Sequence, residues 1–158
     1  MVRVAVTAYI ALGANLGPAR ETVLQAMQDL ALLPQTRLLR RSSLYGTAPV
    51  GATGPDYINA VVELSTDLRP HALLQALQQL ELQAGRTRPY HHAPRTLDLD
   101  LLLYGEESLD SPTLVLPHPR MLARAFVLVP LAEVAPWRVS TLQLQAVSGQ
   151  AIVRYTAV

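Results

Sequence analysis

No cysteine occurs among the 158 residues, which excludes disulfides, thiolate metal sites and cysteine nucleophiles. Lysine is absent too, and all thirteen basic residues are Arg. That removes the amine of a Walker-type phosphate loop or a Schiff-base enzyme and leaves planar guanidinium forks, which suit bidentate phosphate contacts. Aromatics are scarce, with one Phe and one Trp, so the exposed aromatic platform that reads single-stranded RNA on a sheet is missing. The net charge is +1 and no block of one sign occurs, unlike a dedicated nucleic-acid surface. No uncharged apolar run reaches the ~20 residues needed to span a bilayer. The early run VAVTAYIAL reads as a first strand; no small-residue cleavage site follows it, as a secretory signal would require. These absences lead us to expect a cytoplasmic protein without nucleic-acid or membrane partners.

Half of the residues are hydrophobic and 16% are charged, enough apolar surface for one packed core. We expect a single domain over residues 1–158. TAYIALGANLG reads as a strand entering a Gly-Asn turn, after which Pro18 opens a helix with Val23, Leu24, Met27, Leu30 and Ala31 at helical spacing. TRLLRRSSLYGTAPV reads as a second strand, GTAPVGATGPD as a loop and YINAVVELST as a third strand. Asp67 is the expected cap of a second helix, with Pro70 near its start, Leu73, Leu74, Leu77 and Leu80 along one side, and Gly85 beyond its end. A basic loop, RTRPYHHAPR, then leads into a strand that contains LDLDLLLY. The order β-α-β-β-α-β is the split, ferredoxin-like pattern of an α+β sandwich, an antiparallel sheet with helices packed on it. A C-terminal extension follows, and its last twenty residues carry no clear periodicity.

Two aspartates interrupt the apolar strand. On a strand, Asp98 and Asp100 share one face while Leu97, Leu99, Leu101 and Leu103 line the other. Carboxylates roughly 6–7 Å apart repel by about 2.5 kcal/mol at an effective dielectric of ~20, so something positive belongs between them. One candidate is a structural Arg network around Arg95; the other is a hard, oxygen-preferring cation such as Mg²⁺. Arg86, Arg88, His91, His92 and Arg95 crowd the approach to the strand, and His118, Arg120 and Arg124 follow it. Such a cluster matches guanidinium groups and a metal sharing the charge of a nucleoside triphosphate. In the third strand, Tyr57 and Asn59 face one way: an amide that suits the edge of a fused heterocycle beside a flat ring. The GANLG turn lacks both dinucleotide and P-loop patterns and reads as structural.

APRTLDLDLL, with His91 two residues before it, resembles the signature of the 6-hydroxymethyl-7,8-dihydropterin pyrophosphokinase family. YIALGANLG, SSLYGTAPVG, DYINAVVEL, LLQALQQLELQAGRTR and PHPRMLARAFVLVPLAEVAP are similar to that family in the same order, and the tail after Trp137 is unmatched. The resemblance implies a ferredoxin-like enzyme that transfers pyrophosphate from ATP to the pterin hydroxymethyl group with two Mg²⁺ ions, in folate biosynthesis. It implies that Asp98 and Asp100 hold both metals, and that Arg86 and Arg95 join them in catalysis. Thr47, Pro49, Val50, Tyr57, Asn59 and Phe126 would form the pterin pocket, with the ring between Tyr57 and Phe126. Gln78, Glu81, Arg86, Arg88, Arg95, His118 and Arg124 would serve ATP. The partners expected are these small molecules, on a monomer.

Three positions depart from the family pattern: His92 stands where a Trp is common, Thr113 where an Arg contacts phosphate, and Pro119 where a Tyr sits. Two other readings compete. A ferredoxin-like binding module without catalysis would bind no ATP with Mg²⁺. A zinc hydrolase built on His91, His92, His118 and the two aspartates lacks the i, i+4 spacing of a helical zinc pair.

Overall fold

The computed structural model describes residues 4–48, 56–85 and 97–155. The apolar alternation of the first strand produces β1 (Val6–Ala14), and Pro18 stands at the N-cap of α1 (Ala19–Ala31). The expected second strand is two pieces, β2 (Thr36–Arg41) and β3 (Tyr45–Thr47), and both lie against β4 (Tyr57–Thr66). The break has a local cause. The Ser42 hydroxyl accepts the Val61 N–H at 2.9 Å while the Ser42 N–H reaches the Val61 carbonyl at 2.9 Å. A side chain thereby substitutes for one rung of the ladder.

Helix α2 (Pro70–Ala84) starts two residues later than a cap at Asp67 would require. Its N-cap is Arg69, without a side-chain capping bond, and Pro70 takes the first helical position, where the missing N–H costs nothing. Gly85 closes the helix as expected, donating its N–H to the Glu81 carbonyl at 3.0 Å. Strand β5 (Asp98–Tyr104) follows, then the short hairpin β6 (Leu109–Asp110) and β7 (Val115–Leu116). A 3₁₀ turn at Met121–Ala123 leads into α3 (Ala125–Val134). The tail, unassigned from sequence, forms α4 (Thr141–Ala146), opened by a capping box between Ser140 and Gln143, and β8 (Val153–Arg154).

The main sheet runs β5-β1-β4-β3-β8, with β2 also on β4, and every pairing is antiparallel. With β2 and β3 taken as one broken strand, this is the ferredoxin-like order. One face carries Ile10, Leu12, Ala60, Val62, Leu64, Leu99 and Leu101 against Val23, Met27 and Leu30 of α1 and Leu73 and Leu77 of α2. The opposite face carries Tyr9, Ala11, Val61 and Leu102 against Val127, Leu128 and Leu131 of α3.

The alternation of β5 does not run through to its end. Ile10 pairs with Leu101 and Tyr9 with Leu103, so Leu102 is an extra residue, a β-bulge. Leu103 consequently joins the α3 side, and Tyr104 takes the place expected of it against α1 and α2. Among the described residues no helix is long and apolar enough to cross a membrane.

Candidate active site

The α3 side of the sheet is covered only in part. Toward the ends of β1 and β4, beyond the reach of α3, the face opens into a cleft of about 830 Å³. Its floor follows from register. Gly13 lies between Asn59 of β4 and Asp98 of β5, and Ala11 lies between Val61 and Asp100. The small residues of β1 leave room above the sheet, and neighbouring strands supply the polar groups. A Cβ on Gly13 would stand 3.2 Å from the Asn59 Oδ1, so a side chain there would press on the amide that the cleft presents. Gly13 therefore belongs to strand β1 and the cleft floor, and not to the turn in which the sequence seemed to put it. Glycine inside a strand is a signal for such close approach.

One wall carries the amide. Asn59 is 4% exposed and donates from Nδ2 to the Thr47 hydroxyl at 2.8 Å, which fixes its orientation between β4 and β3. Tyr57, two residues before it, also lines the cleft. Across the opening stand Arg124 and Phe126, at the start of α3, with the Arg124 guanidinium 5.3 Å from the Phe126 ring centroid. Arg120 lines the same wall.

Asp98 and Asp100 form the second half of the floor, both half-buried and both on the cleft side. Between them, the Leu99 N–H points away from the cleft to the Glu81 carboxylate of α2, at 2.8 Å. The aspartate strand lies at the edge of the sheet, and Glu81 satisfies a backbone group that the edge would leave to solvent. His118 is tethered beside them, donating its own N–H to the Leu102 carbonyl at 2.9 Å. Burial lowers its pKa below the usual imidazole value, the charges of Arg124 and Arg120 add to this, and Asp100 opposes them. The neutral ring accepts the Arg120 N–H at Nδ1, 3.2 Å, which leaves the proton on Nε2.

Of the expected residues, the fold gathers Thr47, Tyr57, Asn59, Asp98, Asp100, Arg124 and Phe126 around one cleft. Gln78 is exposed on α2 and Glu81 is turned to the Leu99 amide, so neither lines it. Thr113 and Pro119 are exposed and do not line it either. Pro49, Val50, Arg86, Arg88, His91, His92 and Arg95 lie outside the described residues. Gln150 and Ala151 also line the cleft; nothing in the local pattern of the tail signals this, because their position depends on how the chain returns after α4.

The donor set bears on a metal. Among the described residues no group of three or more His, Cys, Asp or Glu side chains could hold one alone. Two carboxylates with further oxygen from a substrate are what Mg²⁺ takes, since it keeps waters and is commonly completed by phosphates. Asp98 and Asp100 fit that chemistry.

A second cleft, about 510 Å³, opens at the other end of the same face. Here the Tyr9 hydroxyl donates to the buried Glu63 at 2.6 Å, Arg40 stands 3.8 Å from that carboxylate, and Arg40 and Arg138 stack on Trp137 and Tyr9. Its charges are matched internally, acid against guanidinium.

The sequence profile described as 7,8-dihydro-6-hydroxymethylpterin-pyrophosphokinase (HPPK) matches residues 9–136. The 2-amino-4-hydroxy-6-hydroxymethyldihydropteridine pyrophosphokinase of Pseudomonas aeruginosa is 51% identical over 129 residues, covering 81% of this chain and 80% of that protein. The protein of the same name from Bacillus subtilis is 47% identical over 131 residues, covering 80% and 77%. A crystal structure described as HPPK-DHPS in complex with substrates superposes with a TM-score of 0.63 at 13% identity, over 84% of this chain and 40% of that one, a likeness of fold. With the profile spanning most of the chain and a relative 51% identical over 129 residues, the chain belongs to the 7,8-dihydro-6-hydroxymethylpterin-pyrophosphokinase family.

Proposed function

We propose that this chain transfers a pyrophosphoryl group from ATP to the hydroxymethyl oxygen of 6-hydroxymethyl-7,8-dihydropterin, releasing AMP, as a step of folate synthesis. The observation that carries the reading is one cleft that holds an oriented amide and an aromatic ring on one side and a carboxylate pair with a guanidinium on the other. The family match and the names of the relatives support it. A flat heterocycle with donors and acceptors on its edge suits Asn59 and Thr47, with Tyr57 and Phe126 offering ring faces and Pro49 and Val50 completing the pocket. A triphosphate suits Arg124 and His118, with Arg86, Arg88 and Arg95 from the basic loop; Gln78 and Glu81, on α2 and outside the cleft lining, have no place at the phosphates.

Asp98 and Asp100 would hold Mg²⁺, two ions in our reading, which when bound neutralise triphosphate charge and polarise the β-phosphorus. The remaining work is positional. Asn59, held by Thr47, orients the pterin so that its hydroxymethyl oxygen faces the β-phosphorus, and Phe126 keeps water from the ring. As the oxygen bonds to that phosphorus it releases its proton to solvent, the phosphorus bond to the α–β bridging oxygen breaks, and AMP leaves with the electron pair. Arg86, Arg95 and Arg124 take up charge on the transferring group, and neutral His118 offers an N–H donor. A cytoplasmic monomer acting on small molecules completes the reading. The test is AMP release by the purified chain with Mg²⁺ and ATP, with and without the pterin. Release in step with pterin diphosphate, only when both substrates are present, is expected; ATP binding without AMP would overturn the reading in favour of a nucleotide-binding relative whose chemistry has been lost or changed.

A further inference from the structure

Residues 137–158 lie beyond the stretch that the family profile matches, yet the chain returns through them to the cleft. Helix α3 begins at Ala125 with Arg124 as its N-cap, in an extended conformation at φ −127° and ψ 114°. Arginine is a poor residue for that place, because an N-cap side chain normally supplies an oxygen to the first backbone amides and a guanidinium has only donors. The acceptor comes instead from the tail. Gln150 accepts the Ala125 N–H at Oε1, 2.9 Å, and donates from Nε2 to the Ala123 carbonyl at 2.9 Å. One carboxamide thus bonds to the backbone on both sides of Arg124. Only this orientation of the amide satisfies both groups, since one partner is a donor and the other an acceptor.

Gln150 is itself held in place from further along the chain. Three residues on, β8 pairs with β3, Val153 with Gly46 and Arg154 with Tyr45. The Tyr155 ring lies where a Cβ on Gly46 would be, with ring carbons 2.8 and 2.9 Å from that position. Strand β3 continues into Thr47, the partner of Asn59. The tail is therefore bonded to both walls of the cleft, to α3 through Gln150 and to β3 through β8.

We propose that Gln150 is a positioning residue for Arg124: it supplies the cap that the Arg124 side chain cannot, and by bonding the backbone on both sides of Arg124 it fixes where that side chain meets the substrate beside Phe126. This rests on the pyrophosphokinase reading. Gln150 touches the backbone around Arg124 and needs no contact with substrate, so its removal has a particular signature.

The test compares steady-state kinetics of wild type, Q150L, R124A and the double variant, varying each substrate in turn, with thermal melts of all four. Leucine keeps the bulk of glutamine and removes both hydrogen bonds. Q150L is expected to raise KM by roughly five- to tenfold, as loss of two hydrogen bonds implies, and to do so for the same substrate that R124A weakens. In the R124A background Q150L should add less than about twofold, because its effect runs through the missing side chain. A Q150L variant with unchanged KM, one that weakens the other substrate, or one whose factor is the same with and without Arg124 would overturn the proposal. A loss of melting temperature without the KM signature would do the same, leaving Gln150 a structural cap. A wild-type chain that releases no AMP would instead overturn the pyrophosphokinase reading, and this role with it.

Discussion

Asp98 and Asp100 stand two apart on a strand whose opposite face is buried leucine, and removing either carboxylate should leave the core untouched. D98A and D100A are each expected to lower turnover by about 10²–10³, the effect of deleting one preorganised group that stabilises transition-state charge, with melting temperatures near wild type. Near-normal rates in both would remove them from the chemistry. Asn59 is a different kind of residue: 4% exposed and bonded to Thr47, it presents a heterocycle-shaped pattern of donor and acceptor. N59A should raise KM for the pterin by roughly 10–100-fold, equivalent to about 1.4–2.8 kcal/mol, with nucleotide affinity retained. Parallel loss of both substrates would mean that the pterin lies elsewhere. The residue types were legible beforehand because period-2 alternation is local. The partnership of Asn59 with Thr47, and the crowding of its amide by Gly13, were not, since each needs a register between strands.

Among the elements, α3 has the widest reach. Its C-terminal half carries Glu133, which accepts the Ser43 N–H and hydroxyl at 2.9 Å each and the Tyr45 hydroxyl at 2.7 Å, with Arg154 of β8 at 3.4 Å. Burial pushes the Glu133 carboxyl up, but these hydrogen bonds and the Arg154 charge outweigh it and hold the pKa below the ordinary value. A depressed carboxyl contributes stability that is present above its unfolded-state pKa of ~4.3 and is lost as pH falls through the lower folded-state value. E133Q should therefore cost about 1–3 kcal/mol at pH 7. The gap to wild type should close as the medium is acidified below about pH 4, as followed by denaturant melts. A gap that is constant with pH would mean that the carboxylate charge is not what holds β3 and β8 to α3. The sequence gave no warning of this role, because Ser43, Tyr45 and Arg154 come from segments far apart in the chain.

For the molecule as a whole, one sheet face serves two clefts on either side of α3. The one at Tyr9 and Glu63 is matched in charge and stands apart from the aspartates. Burial, then the hydrogen bond to Glu63, pushes the Tyr9 pKa well above the usual phenol value, so this pair stays hydrogen-bonded through neutral pH. Y9F leaves the buried Glu63 short of a donor and should cost about 1–3 kcal/mol, a fall of roughly 2–4 °C in melting temperature for each kcal/mol. AMP release should stay within about twofold of wild type, the ordinary consequence of a change far from the substrate. A large loss of activity at full stability would show that the two ends of the sheet are coupled.

By itself the sequence determined the chemistry and the order of the elements. Absence of Cys and Lys, the aspartates in a leucine strand, and β-α-β-β-α-β patterning are all properties of neighbouring residues, set by backbone periodicity and side-chain type. Only the tertiary structure decided where β5 bulges at Leu102, how Ser42 splits the second strand, and that Arg69, not Asp67, begins α2. It also decided that a tail without periodicity closes the cleft through Gln150. These outcomes depend on which distant backbone groups meet once the helices have packed, and no local pattern encodes a meeting between residues 25 or 111 positions apart.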